Sequence, residues 1–397
     1  MSAAATVPFE VYKGQDFYVP AFRIVIRDKE LELPVHDVIS VTYTETESDV
    51  DSFDLTVSNW DPGLSGAQGK FKYSDGDQFT PWQDVEVFMG YYRNGKDEMR
   101  RMLLGEIVTM TPNFPASGPS TLTVRGLNLL HRFRTKQQTA TYTGKKDSDI
   151  ARQLVSAIDK EIRQSIPRLH LQPDNDELSR NLKQEIEIPT LEMSNEYPIN
   201  FLYKRSKRIG YEMFVEEPSG GTGDRVVTVH YRRPDMVTRP TYQLEWGKTL
   251  ISFEPSFQTA KQVDKVTVRG WDPLKAENIA VTVTRADLLA EGILDPQQDL
   301  KTSRRQAPDR EEIVVDETVQ NKAEAQVVAR RRMRQIAQGM VQGRGKTIGL
   351  PDLRAGVKIR LEGLGRFTGF YQVIATTHTI GDGGYTTDFT ARMERDT

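Results

Sequence analysis

Strict alternation of apolar and polar residues recurs at both ends of the chain. Val85, Val87 and Met89 alternate into Gly90, and Leu122 and Val124 alternate towards Gly126. Further on, Val357, Ile359 and Leu361 interleave with Lys358, Arg360 and Glu362. Tyr371, Val373 and Ala375 follow, then Tyr385, Thr387, Phe389 and Ala391. A period of two turns one face of each strand inward, so both ends read as antiparallel meanders, a barrel or a sandwich. Phe22–Ile26, Val35–Tyr43 and Leu104–Ile107 add strands, and Asn94-Gly95 and Gly381–Gly384 supply turns. A different period governs the middle. Ile150, Leu154, Val155 and Ile158 share one helical face over Asp147–Ile158, with Asp147 or Ser148 as cap. Phe201, Leu202 and Ile209 mark a second helix ending near Gly210. Thr318 is placed to cap a third over Val319–Gln338. Residues 160–200 carry Pro and Asn and read as loops, the Ser219–Asp224 stretch as a turn, and residues 291–312 as a charged arm.

One stretch occurs twice. Ile39–Pro62 reads ISVTYTETESDVDSFDLTVSNWDP, and Ile251–Pro273 reads ISFEPSFQTAKQVDKVTVRGWDP. Both open on Ile-Ser, carry Val-Asp in the middle and close on Trp-Asp-Pro. The spacing is too long for a solenoid period and implies two related domains. Trp60, Asp61 and Pro62, with Trp271, Asp272 and Pro273, are read as strand terminators of the repeat. Trp supplies an apolar cap, and Pro, lacking an amide donor, stops the strand. The expected fold class is mainly β, α+β overall. The expected division is 1–130 as a first β domain, 131–225 as an α+β middle domain, 226–275 with 346–397 as a second β domain, and 276–345 as an insertion of loop and helix.

The chain has 397 residues, 37% of them hydrophobic and 27% charged, enough apolar material for several cores. A formal net charge of −3 gives no global pull towards nucleic acid or an anionic membrane. With no cysteine, disulfides, thiolate metal sites and cysteine nucleophiles are excluded. No apolar run is long enough to span a bilayer, and MSAAATVPFE lacks the pattern of a secretory signal.

The search for chemistry finds little. The histidines at 36, 131, 170, 230 and 378 are scattered and form no metal-binding motif, so structural roles are expected of them. Gly343-Arg-Gly-Lys-Thr347 lacks the leading Gly of a phosphate loop, and Gly363-Leu-Gly365 followed by Gly369 misses the dinucleotide spacing. Asp174–Glu177 lacks the Gly and the later Glu of a calcium loop, and no Gly-x-Ser-x-Gly is present. Arg330, Arg331, Arg332 and Arg334 form the densest basic run, read as a solvated helix face or as a contact to an acidic neighbouring subunit. Catalytic, cofactor-binding and metal-binding residues are therefore expected to be none, and a structural or binding role follows.

The chain resembles the phage late control protein D family, baseplate hubs of contractile tails related to the hub portion of VgrG spike proteins. The resemblance rests on Asn200–Ser206 through Gly210-Tyr211, on Val266–Pro273, on Ala323–Met333, and on Gly349–Gly356 through Tyr371 and His378. It covers nearly the whole chain. It implies two tail-tube-like β-barrels per subunit and a homotrimer. Three chains with two similar domains each would adapt a hexameric inner tube to a trimeric spike. It further implies an inner tube protein above, a separate spike protein below and baseplate wedge proteins outside, with no cofactor, membrane span or specific nucleic-acid binding. Assembly in the cytoplasm and incorporation into a virion or injection-system particle are expected. A cell-wall hydrolase with its site in 131–225 and a carbohydrate-binding tail protein are the alternatives.

Overall fold

The computed structural model describes residues 9–10, 19–61, 63, 71–93, 96–166, 169–217, 225–232, 242–291, 310–315 and 317–394. The expected turns at Asn94-Gly95 and Ser219–Asp224, together with Pro62 and most of the 291–312 arm, lie outside the described residues.

Strand β1 (Phe9–Glu10) pairs with Tyr242–Gln243 at the edge of the second module, while the first module contains β2 (Pro20–Ile26), β3 (Lys29–Glu30), β4 (Val38–Thr46), β5 (Ser52–Ser58), β6 (Asp84–Arg93), β7 (Lys96–Asn113) and β8 (Thr121–Asn128). Alternation drives its core. Val41 and Tyr43 on β4, Phe53, Leu55 and Val57 on β5, and Val85, Val87 and Met89 on β6 are all buried. Gly126 is required by close approach: a Cβ there would lie 2.2 Å from the Phe53 ring.

The middle of the chain is α+β. It runs through β9 (Gln138–Lys145), α1 (Asp147–Ser165), β10 (Leu169–Pro173), α2 (Asn175–Leu182), β11 (Ile188–Glu196), α3 (Pro198–Ile209), β12 (Glu212–Glu216) and β13 (Arg225–Arg232). Helices α1 and α3 bury Leu154, Ile158, Phe201 and Leu202 against Met213, Val227 and Val229 of a sheet ordered β10-β13-β12. Pro198 stands in the first turn of α3, and Gly210 ends the helix at φ +75°, a conformation that suits glycine. The stretch expected to be loops, 160–200, instead holds β10, α2 and β11. Its apolar positions are too sparse to signal short elements, yet Asp174 caps α2 by accepting from Asp176 and Glu177.

The second module contains β14 (Tyr242–Glu245) and β15 (Leu250–Phe257). The chain then leaves through β16 (Lys265–Asp272), β17 (Glu277–Thr284), α4 (Arg285–Ala290), β18 (Glu311–Val314) and α5 (Lys322–Gln338). It returns as β19 (Val341–Ile348), β20 (Lys358–Glu362), β21 (Gly369–Gly381) and β22 (Gly384–Met393). Helix α5 starts at Asn321, whose side chain accepts from Glu324 N–H, rather than at Thr318. It packs Val328, Ala329 and Met333 on Val266 and Val268 of the small sheet β17-β16-β18.

The expectation of a mainly β fold is borne out. Closed barrels are not found among the described residues. The strands of both modules form one 14-stranded sheet. The first module runs β4-β5-β8-β7-β6-β2, and the second runs β15-β19-β22-β21-β20-β14. In chain order within each module these are the same permutation. The match extends to irregularities. Bulges fall at Ile39 on β4 and Ile251 on β15, and at Val108 on β7 and Ile374 on β21. One difference is orientation: β2 is antiparallel to β6, whereas β14 is parallel to β20. The sheets merge because β21, at 13 residues, outruns the 5-residue β20. Its far half, Ala375–Gly381, pairs with Thr46–Ser40 of β4.

This order corrects the correspondence drawn from Trp-Asp-Pro. Trp60 follows β5 in the large sheet, whereas Trp271 lies on β16 in the small one. The strand that occupies the place of β5 in the second module is β19. The tryptophans also do not cap a core: they are 48% and 51% exposed. The excursion out of the second module runs from residue 258 to residue 340.

Candidate functional site

The line where β21 meets β4 holds the densest set of buried charges. On β4 the inward alternation Val41, Tyr43 continues into Glu45, so a carboxylate occupies a position where the pattern calls for an apolar side chain. Arg354, from the turn before β20, answers it. Its Nε donates to Glu45 Oε2 at 2.6 Å and its guanidinium to the Tyr43 hydroxyl at 2.6 Å, with Glu217 at 3.8 Å. Burial opposes the charge on Arg354, but Glu45, Tyr43 and Glu217 outweigh it and hold the guanidinium well above its usual range. Burial pushes the Glu217 carboxyl up to about 7 although Arg354 pulls it down. Asp51 is pushed well above the carboxylate range by burial and by Glu45, and it accepts from Asn128 at 2.7 Å. His378, on β21, is held down to about 3 by burial and by Arg354. Its Nε2 donates to the Leu353 carbonyl at 3.1 Å, which places the neutral ring in one tautomer. Tyr91 adds a further tie, donating to the Gly349 carbonyl at 2.8 Å. The chemistry of this cluster is fastening: it locks one module to the other.

A second charged region lies in a cleft of about 520 Å³ between α3, α5 and the rims of the sheet. Arg205 makes a bidentate pair with Asp147 at 2.6 and 3.0 Å. Arg208 reaches Glu324 at 2.7 Å, tying α3 to α5. Glu47, also on the cleft, is pushed up to about 8 by burial, against the pull of Arg392. Arg330, Arg331 and Arg334 of the basic run line the same cleft. Arg330 pairs with Glu291 at 2.7 Å, Arg331 with Glu317 and the Lys207 carbonyl, and Arg332 with Glu312. Arg334 is half-buried on the cleft wall. Three of these four arginines thus meet acids of their own chain.

Asp174, Glu177 and His230 bring oxygen and nitrogen atoms within 4.8 Å of one another. Both ring nitrogens of His230 face carboxylates, Nδ1 at Glu177 and Nε2 at Glu216, each at 3.1 Å. A ring that donates on both sides has no lone pair left for a metal, and Arg232 already neutralises Glu177 at 3.1 Å. Burial works against protonation of His230, but the two glutamates raise its pKa. The residues fit a salt-bridge network rather than a cation site. His131 is likewise tied into the interior, 2.6 Å from Glu106, which also meets Arg132.

The sequence reading missed Arg354, Glu217 and Asp51. The one legible signal was Glu45, an acid in register with buried Val41 and Tyr43.

Seen as a whole, the arrangement has the fold of phage tail proteins. A 43 kDa tail protein of prophage MuSo2 from Shewanella oneidensis superposes with a TM-score of 0.64 at 13% identity, covering 94% of this chain and 98% of that one. A tail protein from Neisseria meningitidis MC58 gives 0.60 at 13% identity, covering 94% and 97%. The Escherichia coli c3393 protein, described as a component of the type VI secretion system, gives 0.51 at 12% identity, covering 94% and 77%. A family model described as the Alg8 N-terminal domain matches residues 200–382. A search of curated proteins by sequence finds no match.

Proposed function

We propose that this chain is a structural baseplate hub of a contractile tail or contractile injection system. It would act as a trimer that adapts a hexameric inner tube above to a trimeric spike below. The observation that carries the reading is the duplicated strand order with its matched bulges. A chain with two equivalent β modules presents a sixfold-like surface when three copies assemble about an axis, and keeps threefold symmetry elsewhere. The fold likeness to tail proteins supports the same conclusion, and the c3393 description likens that protein to the T4 tail proteins gp27 and gp5. On this reading the division into a first β module, a middle α+β unit, a second β module and an inserted unit is a division of labour. The modules form the ring, and the other two units face outward towards wedge proteins. The role is mechanical, with no catalytic step assigned.

The test is assembly. Native mass spectrometry of the purified chain, alone and with the tube and spike proteins of its own particle, should give a trimer that binds both. A monomer at every concentration and ionic strength, with affinity for neither, would sink the reading.

A further inference from the structure

The chain contains one finished seam, β21 with β4, and both halves of a second. By strand order and bulge position, β7 is the counterpart of β21 and β15 the counterpart of β4. Beyond Ile107, β7 has no strand neighbour among the described residues on the side that β6 covers earlier, because that pairing stops at Asp84–Glu106. Along its length β15 pairs with β19 alone among the described strands. In the sheet these two free edges are separated by β19-β22-β21-β4-β5-β8. At about 4.8 Å per inter-strand step that is roughly 34 Å along the sheet. They are complementary edges held apart on one copy.

We propose that the far half of β7 pairs antiparallel with β15 of a neighbouring copy of this chain, in the register of the internal seam. The proposal rests on the hub reading for the number of copies and on the duplicated sheet for the pairing. The register carries over strand by strand. Ala375 opposite Thr46 becomes Thr109 opposite Gln258, and Thr377 opposite Thr44 becomes Thr111 opposite Ser256. His378 opposite Tyr43 becomes Pro112 opposite Pro255. The side-chain surfaces agree with burial on assembly. Phe114 is 56% and Phe257 37% exposed, and Phe257 falls opposite Met110.

The two prolines give this seam a character of its own. Glu47 N–H donates to the Ile374 carbonyl across the internal seam, so by alternation Tyr43 and His378 point their backbone groups at each other. The equivalent positions on the free edges are the two prolines, which have no N–H to give. A lone edge is thereby blunted against indiscriminate strand addition. The assembled seam has a gap in its ladder where the internal one is continuous. The junction between copies is therefore the weaker of the two and opens first.

The chain has no cysteine, so paired cysteines report the register directly. Thr111 and Ser256 are exposed and form the closely approaching kind of antiparallel pair, within disulfide reach. The full-length T111C/S256C variant, mildly oxidised and run without reductant, should give a covalent trimer. T111C/S252C, about four residues out of register, should link at less than about one-tenth of that yield. Mixed single variants, T111C with S256C, should stop at covalent dimers. A chain that is trimeric by native mass spectrometry yet links no better than the off-register control overturns the strand pairing and leaves the hub reading standing. Linkage within a monomer overturns the pairing between copies. Open linked polymers support the pairing and overturn threefold closure. A chain that stays monomeric under all conditions overturns both.

Discussion

Replacing Arg354 with Met should loosen the internal seam more than any other single change there. Among the described residues the Arg354 guanidinium is the cation that meets both Glu45 and Glu217, and Met keeps much of its volume. Removing one partner of a buried pair typically costs about 3–5 kcal/mol, because the charge left behind has neither water nor a counterion. At about 1.36 kcal/mol per decade, opening of β4 and β21 becomes roughly 10²- to 10⁴-fold more frequent. Several cores make a single two-state unfolding curve a poor measure, so hydrogen–deuterium exchange of peptides from 38–46 and 369–381 is the better assay. pH supplies a second handle. The folded-state pKa of Glu217, about 7, lies above the usual 4.5. A raised acid contributes stability that is present below the unfolded value and lost as pH rises through the folded one. In R354M the burial penalty on the acids is no longer opposed, so its deficit should be greatest at about pH 8 and shrink towards about pH 5. Exchange of the two strands within about threefold of the parent at about pH 8, or a deficit independent of pH, would refute the reasoning.

His378 supplies the opposite slope. Its folded-state pKa of about 3 lies below the usual 6.5, so its neutral burial costs stability as pH falls below about 6.5, and H378Q should blunt that acid sensitivity in a thermal-shift series. Burial opposes the charge on Glu106, but His131 and Arg132 outweigh it and hold the carboxyl below its usual range; its contribution is present above the usual 4.5 and fades as acid protonates it. E106Q should lower the unfolding free energy at neutral pH by about 3 kcal/mol, read as a lower urea midpoint, and leave less difference in acid. Gly126→Ala forces a methyl into Phe53 and should cost about 1–3 kcal/mol, partly recovered by adding F53L, as read by thermal denaturation. Phe201→Ala should cost about 3–5 kcal/mol in the middle core while leaving exchange of β20 and β22 near its parent rate.

What could be read from the residues alone followed from how each signal arises. Alternation is a local consequence of one buried face, so β4, β6, β8, β20 and β22 were visible. The Ile-Ser recurrence was more informative than it looked, because Ile39 and Ile251 are the bulged residues of equivalent strands. Trp-Asp-Pro misdirected the alignment. Its first copy follows β5 of the large sheet, whereas the second ends β16 at the hairpin into β17 of the small one, and Trp-Asp at a strand end carries no record of that strand's partner. Which strand pairs with which is a long-range fact, and β19 reads poorly because Gly343 and Gly345 stand where Phe253 and Phe389 crowd the backbone. The charged seam was hidden for a similar reason. Arg354 sits in a turn, where a charged residue usually signals solvent, and only the folded chain brings it to Glu45.

The excursion from 258 to 340 leaves and re-enters through a single rung, where Phe257 pairs with Val341 and Gln258 N–H donates to the Met340 carbonyl. Two chain ends held one strand apart are what a tight hairpin would also provide. The position is a natural graft point: a foreign domain whose termini lie close together can be spliced there without changing the length of any strand in the large sheet.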